Sequence, residues 1–227
     1  VRASPDDAGG VRWLLVHELL APPEEVARTI LDEHRGERVV TDDERLVALL
    51  VDAGGTIQRR GHDYEHDLAD VPPPPRPPDG WTIGHDLDPA GLVEAHELAN
   101  PPGHPDHELT LDHLADLTDM AGGKVLGPLV RQASWQVSDE RGPQGAVMVV
   151  ERTPGRGWVV DVFVHPGHQG KGLGRLLMLH AVSGAKQAGL ATLGLVVTDG
   201  NPARALYDAT GFRHIRSGTN VDVPLLS

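Results

Sequence analysis

Hydrophobic residues fall into short runs punctuated by turn formers along most of the chain. Residues 133–138, 145–152 and 157–165 read as three strands, bounded by SDERGPQG and RTPGRG, and such short separations predict an antiparallel meander. Ahead of them the pattern predicts a strand at 81–85 and helices over 88–99 and 111–120, with Asp88 as cap and Pro89 at the first position of the earlier helix. Behind them it predicts a helix over 173–188, a strand at 192–197, a helix over 202–209 and a last strand at 213–223. The order β-α-α-β-β-β-α-β-α-β describes an α+β fold, a mixed α/β sandwich around one sheet.

Two stretches break this regularity. Residues 71–79, VPPPPRPPD, lack most backbone donors and favour an extended polyproline segment, so 71–80 is expected to be a semi-rigid linker between residues 1–70 and 81–227. The loop NPPGHPDHE between the first two helices of the larger segment is too irregular to extend either one.

Composition narrows the function. The 227 residues carry 20 Lys plus Arg against 33 Asp plus Glu, a formal net charge of −13. That balance argues against nucleic acid or an anionic membrane as partner. With no cysteine, disulfides, thiolate zinc sites and a covalent acyl-cysteine route are excluded. No apolar run approaches a membrane span, and VRASPDDAGG lacks the apolar core of a signal peptide, so a cytoplasmic protein is expected.

The strongest chemical signal is WVVDVFVHPGHQGKGLGRLL. A buried strand runs to Pro166, and Gln169, Gly170, Lys171, Gly172, Leu173, Gly174 and Arg175 then lead into a helix. Glycines at such a turn let backbone N–H groups converge on one anion, and the helix N-terminus adds partial positive charge. A pyrophosphate is the natural guest. The loop is neither a Walker A motif, since Gly172 follows Lys171, nor a GxGxxG fingerprint, since Leu177 stands at the last glycine. Farther on, Asn201-Pro202 opens a short helix carrying Tyr207, followed by Gly211-Phe212.

Together these residues resemble the GNAT superfamily of acetyl-CoA-dependent N-acetyltransferases. Its cofactor pattern V-x-P-x-x-(Q/R)-x-x-G-x-(G/A) matches Val164, Pro166, Gln169, Gly172 and Gly174. Asn201, Ala205, Tyr207 and Gly211-Phe212 fit the later N-x-x-x-x-x-Y-x-x-x-G-F form, a departure in spacing from N-x-x-A-x-x-x-Y. The resemblance implies that the backbone of Val162, Phe163 and Val164 meets the pantetheine arm and that the amides from Gln169 to Arg175 hold the pyrophosphate. It implies further that Lys171 and Arg175 add charge near the phosphates and that Asn201 lies beside the cofactor or caps its helix. Tyr207 would protonate the departing thiolate, its phenol having an unperturbed pKa of roughly 10 against about 8.5 for a thiol. The acceptor amine must lose a proton, and Asp161 is the first candidate base, with Glu151, His104 and His107 as weaker ones. Direct transfer is implied, with acetyl-CoA and a primary amine of a small molecule or peptide bound together and no metal. The oligomeric state is left open.

Two rival readings stand beside this one, a catalytically idle acyl-CoA-binding or regulatory module and a zinc hydrolase. The latter rests on His62-Asp63-Tyr64-Glu65-His66, which spells H-x-x-E-H but reads as strand, placing the two histidines ~13 Å apart.

Residues 39–68 lie without gaps on residues 196–225 at an offset of 157. Val39, Val40, Thr41, Asp42, Ala48, Leu49, Gly54, Arg59, Gly61 and Leu68 meet identical residues. Extending backward, Trp13 pairs with Trp158 at a smaller offset, and the missing residues fall where the glycine-rich turn would stand. ELLAPPEEVARTI replaces that turn, and Leu50 replaces the tyrosine. We read residues 1–70 as a degenerate, truncated copy of the GNAT half, an arrangement that resembles mycothiol synthase. This copy lacks counterparts of the first three strands and needs another edge to cover it.

Overall fold

The computed structural model describes residues 2–8, 11–107 and 112–225. The helix start expected at Leu111, and Glu108 of the preceding loop, lie outside the described residues. The chain divides into two compact units. The first comprises Val1–Asp63, Val196–Asp199 and Ile215–Ser227, and the second Tyr64–Leu195 and Gly200–His214. The units therefore depart from the bounds read from sequence: residues 196–199 and 215–227 cluster with the N-terminal ones.

The first unit begins with strands β1 (Arg2–Ala8) and β2 (Val11–Glu18), an antiparallel pair. No strand was expected before β2. Pro5 and the paired aspartates Asp6 and Asp7 hide β1 from any pattern of alternation, and such residues suit a strand with one free edge. Helix α1 (Pro23–Glu33) starts after Pro22, with Glu24 and Glu25 in its first turn. Strand β3 (Arg38–Thr41) runs parallel to β2. Helix α2 (Glu44–Asp52) is capped by Asp43, whose carboxylate accepts the N–H of Leu46 at 2.7 Å. Strand β4 (Thr56–His66) follows.

In this unit β10 (Arg213–Asp222) lies between β3 and β4. It pairs antiparallel with β3 from Thr219↔Thr41 to Asp222↔Arg38, and Arg38 makes a two-pronged bond to Asp222 at 2.6 and 3.0 Å. The core gathers Leu14, Val26, Ile30, Val39, Leu46 and Leu50 around Val221 and Val223.

The second unit holds β5 (Thr82–Gly84), β6 (Trp135–Asp139), β7 (Gly142–Thr153), β8 (Arg156–Val164) and the start of β9 (Thr192–Thr198). Strands β6 to β8 form the antiparallel meander read from the sequence, β5 adds an antiparallel pairing to β6, and β9 pairs parallel with β8. Helices α3 (Pro89–Ala99) and α4 (His113–Ala121) are capped by Asp88 and Asp112, which accept from Gly91 at 3.1 Å and Ala115 at 2.9 Å. Their apolar stripes, Leu92, Ala95 and Ala99 with Leu117 and Met120, close over Ala146, Met148 and Phe163. Helix α5 (Leu173–Gln187) buries most of its length, and α6 (Arg204–Ala209) is a short helix after β9.

Residues 67–81 take no helix or strand, yet they are tied down. His180 and Lys186 on α5 donate to the carbonyls of Pro75 at 3.0 Å and Ala69 at 2.5 Å. Among the described residues no helix is long and apolar enough to cross a membrane.

Candidate active site

The site is built around the end of β8. On one side β8 is paired with β7 as far as Val164↔Gly145. On the other its parallel register with β9 covers Arg156, Gly157 and Trp158 only. From Val159 to Val164 the backbone groups on that side are left out of the β8–β9 ladder, so an extended ligand can take their place. Phe163 and Val164 are buried and Val162 is half-buried.

The chain then passes through a short turn of 3₁₀ helix, Pro166–His168, into the glycine-rich bend. Gln169 donates its side-chain amide to the Val164 carbonyl at 3.2 Å, fastening the bend to the strand. Gly170 and Gly172 have φ of +76° and +82°, and nothing lies within 4 Å of where a side chain would begin. Both are glycines for backbone conformation, and the space they face is open. Gly174 differs: its Cα side packs on Leu206 of α6.

Gly172 caps α5 without any side-chain acceptor. The first intrahelical bond runs from Leu176 to the Gly172 carbonyl at 2.9 Å. The N–H groups of Gly172, Leu173, Gly174 and Arg175 therefore point out of the helix start without an intrahelical partner. This arrangement accepts an anion. Lys171 is exposed with Nζ 3.0 Å from Nδ1 of His168, and Arg175 is exposed as well. His168 is buried against Trp81, ring centroids 5.0 Å apart. Burial, and then the Lys171 ammonium, hold its pKa below the ordinary value.

Asn201 is buried and does two jobs. Its Oδ1 accepts from Ala203 N at 2.7 Å, and its amide donates to the Asp106 carboxylate in the loop after α3. Helix α6 itself begins at Arg204, two residues later than the sequence pattern predicts, because Asn201 and Pro202 form the turn that enters it. Tyr207 is 6% exposed, its ring centroid 6.1 Å from Tyr64 and 6.2 Å from Phe212.

Asp161 sits on an otherwise apolar strand, and the partner that burial demands is a histidine the sequence reading passed over. His96 on α3 places Nε2 3.1 Å from the Asp161 carboxylate. Its Nδ1 lies 3.0 Å from Nδ1 of His113, the first residue of α4. Phe163 meets the His96 ring at 4.9 Å. The signal was present: His96 falls in the stripe of Leu92, Ala95 and Ala99, where a histidine must find a polar partner.

The other candidate bases are engaged in local turns. Glu151 accepts from Gly155 N at 2.7 Å, His104 accepts from Asp106 N at 3.2 Å, and His107 bonds to the Asn100 carbonyl at 2.7 Å. The two histidines of H-x-x-E-H do not act together. His62 lies between Ser217 Oγ at 2.8 Å and Asp199 Oδ1 at 3.0 Å, whereas His66 accepts from Leu68 N at 3.0 Å. The described residues contain no group of three or more His, Cys, Asp or Glu placed to hold a metal ion.

Charge is distributed unevenly. From Trp81 to Gly123 there is no Lys or Arg, while Asp86, Asp88, Glu94, Glu97, Asp112, Asp116 and Asp119 are all acidic. The helices beside Asp161 thus present a field that favours cations.

Comparison with known proteins agrees with this geometry. The profile of the Acetyltransferase (GNAT) family matches residues 89–212. Streptothricin acetyltransferase of Streptomyces lavendulae is 47% identical over 55 residues, 24% of this chain and 29% of that protein, so the match spans under a third of the relative's length. A GCN5-related N-acetyltransferase from Sphaerobacter thermophilus has the same fold, with a TM-score of 0.67 over 96% of this chain and 75% of its own at 18% identity. A tandem GNAT protein from the clavulanic acid biosynthesis pathway gives 0.56 over 93% and 75%, at 15% identity. The fold, the glycine-rich turn and the family match over more than half its length agree: the chain belongs to the GNAT family of acetyltransferases.

Proposed function

We propose that the protein transfers an acetyl group from acetyl-CoA directly to a primary amine of a cationic small molecule or peptide. The observation that carries this reading is the bend from Gly170 to Arg175, where two positive-φ glycines stand at a helix start that no side chain caps, so that several N–H groups have no intrahelical partner. The residues fit a diphosphate there, with Lys171 and Arg175 as flanking charges. Val162, Phe163 and Val164 offer backbone groups to the pantetheine arm, and Asn201 fixes the α6 entrance beside it. Tyr207 donates its phenolic proton to the departing thiolate, and Asp161 supplies the negative charge that makes loss of the amine's proton favourable.

The acidic segment around α3 and α4 selects a cationic acceptor. Streptothricin, after which the Streptomyces lavendulae relative is named, is therefore the first member of an amine panel scored by release of the coenzyme A thiol. In that assay Tyr207→Phe, which keeps the buried ring, is expected to lower kcat by about 10²-fold or more while leaving acetyl-CoA affinity unchanged. Turnover by Tyr207→Phe and Asp161→Asn at the wild-type rate with every active amine would overturn this assignment.

Residues 1–70 we read as a degenerate copy of the transferase half. Its support is the order β2-α1-β3-α2-β4, which repeats that of β8-α5-β9-α6-β10 with the identities at an offset of 157. Pro22, Pro23, Glu24 and Glu25 stand where the copy would need its anion-binding bend. Calorimetry should accordingly count one acetyl-CoA per chain.

A further inference from the structure

We propose that His113 takes the proton from the acceptor amine through its Nε2 atom, with His96 and Asp161 as the pair that fixes its tautomer. This rests on the acetyltransferase reading and deepens it by naming where the proton enters. The argument is one of donors and acceptors. The Asp161 carboxylate lies 3.1 Å from His96 Nε2 as an ion-pair contact, where it would repel a lone pair and attracts a hydrogen, so the hydrogen sits on Nε2. Neutral His96 then carries a lone pair on Nδ1. Across 3.0 Å stands Nδ1 of His113, and two lone pairs do not bond, so the hydrogen there belongs to His113. Its Nε2 is left with the lone pair.

The surroundings suit that role. The His96 side chain is 12% exposed, held by Asp161 and by the edge contact with Phe163, which keeps the order of donors from reversing. His113 is half-buried at the start of α4, and among the described residues no protein group bonds its Nε2. Asp112 precedes it and Asp116 follows one turn on, while α3 adds Glu94 and Glu97 and no Lys or Arg occurs between Trp81 and Gly123. An ammonium group is drawn to this face.

The protons balance without any other reagent. The ammonium gives one proton to Nε2 of His113, His113 passes the hydrogen on its Nδ1 to Nδ1 of His96, and the resulting imidazolium rests against the Asp161 carboxylate. The amine is then neutral and nucleophilic, and the positive charge sits in an ion pair inside the unit. His113 is the group that touches substrate; His96 and Asp161 are positioning residues.

The test uses the full chain with the most active amine of the panel. His113→Asn keeps an N–H facing His96 and removes the base, so kcat is expected to fall by about 10²-fold or more with acetyl-CoA affinity and Tm held. His113→Ala is expected to regain part of the loss on addition of imidazole, and Asp161→Asn is not. The proposal is overturned if His113→Asn stays within about threefold of wild type while Asp161→Asn is inactive; Asp161 would then act directly and the acetyltransferase reading would stand. It is also overturned if imidazole restores nothing to a folded His113→Ala. A wild-type protein that acetylates no amine in the panel sinks both readings.

Discussion

At the scale of single residues, the glycine-rich bend is sensitive to one methyl group. Gly172→Ala meets no atom within 4 Å, so its cost is conformational: φ is +82°, where a side chain costs roughly 1–2 kcal/mol. The expected outcome is a fall in acetyl-CoA affinity of about tenfold by calorimetry, because the bend relaxes and its N–H groups diverge. An affinity equal to wild type would show that the bend does not hold the cofactor. This bend was legible in the sequence, since glycine spacing encodes backbone conformation directly. The partner of Asp161 was not. His96 and Asp161 lie on different elements, and no spacing within either one reports a contact across them. The same limit drew attention to His104 and His107, three residues apart in sequence but spent on their own loop.

Elements were legible where a cap or a turn marks their ends. Asp88-Pro89 placed the start of α3 at the residue observed. β1 escaped notice because its pairing with β2 supplies what its own residues do not. One close approach between elements was equally invisible: a side chain at Gly184 on α5 would begin 1.7 Å from the carbonyl oxygen of Gln132. Gly184→Ala must push α5 from the 3₁₀ turn at Arg131–Ala133, and a loss of about 1–3 kcal/mol is expected, read as a lower Tm; an unchanged Tm would contradict the packing.

The proline-rich segment lies on the same helix through His180. Burial lowers the pKa of His180 below its ordinary 6.5, and burial does the same for His66 and His168. The folded protein thus keeps these rings neutral, whereas the unfolded chain binds protons as pH drops through 6.5. Their contribution to stability is present above that pH and is lost on descent toward the depressed folded values. Thermal melts from pH 7.5 to 5.5 should show Tm falling, and His180→Gln, which keeps an N–H for Pro75, should lessen the slope. A flat profile would rule this out.

For the whole molecule, strand β10 matters more than its place at the end suggested. The identities at a fixed offset were visible in the letters, but not that residues 215–227 would cluster with the N-terminal unit, because such identities do not report which segment fills which core. A fragment of residues 81–227 keeps the glycine-rich bend but loses β3, against which Thr219–Asp222 are bonded, and the core around Val221 and Val223. Amides 219–222 are expected to exchange with solvent far faster in the fragment than in the full chain. Equal protection would mean that the strand holds without its neighbour.

The sharing of β10 also orders events during synthesis. Residues up to Asp63 are made well before Ile215 and the later residues that close the core of the same unit. At about 5–20 residues per second, roughly eight to thirty seconds separate them on the ribosome. Through that interval β3 presents an open edge and half a core. Residues up to Asp63 therefore wait for Ile215 and its successors before their core is complete, and their exposure to chaperones and proteases is set by the speed of translation.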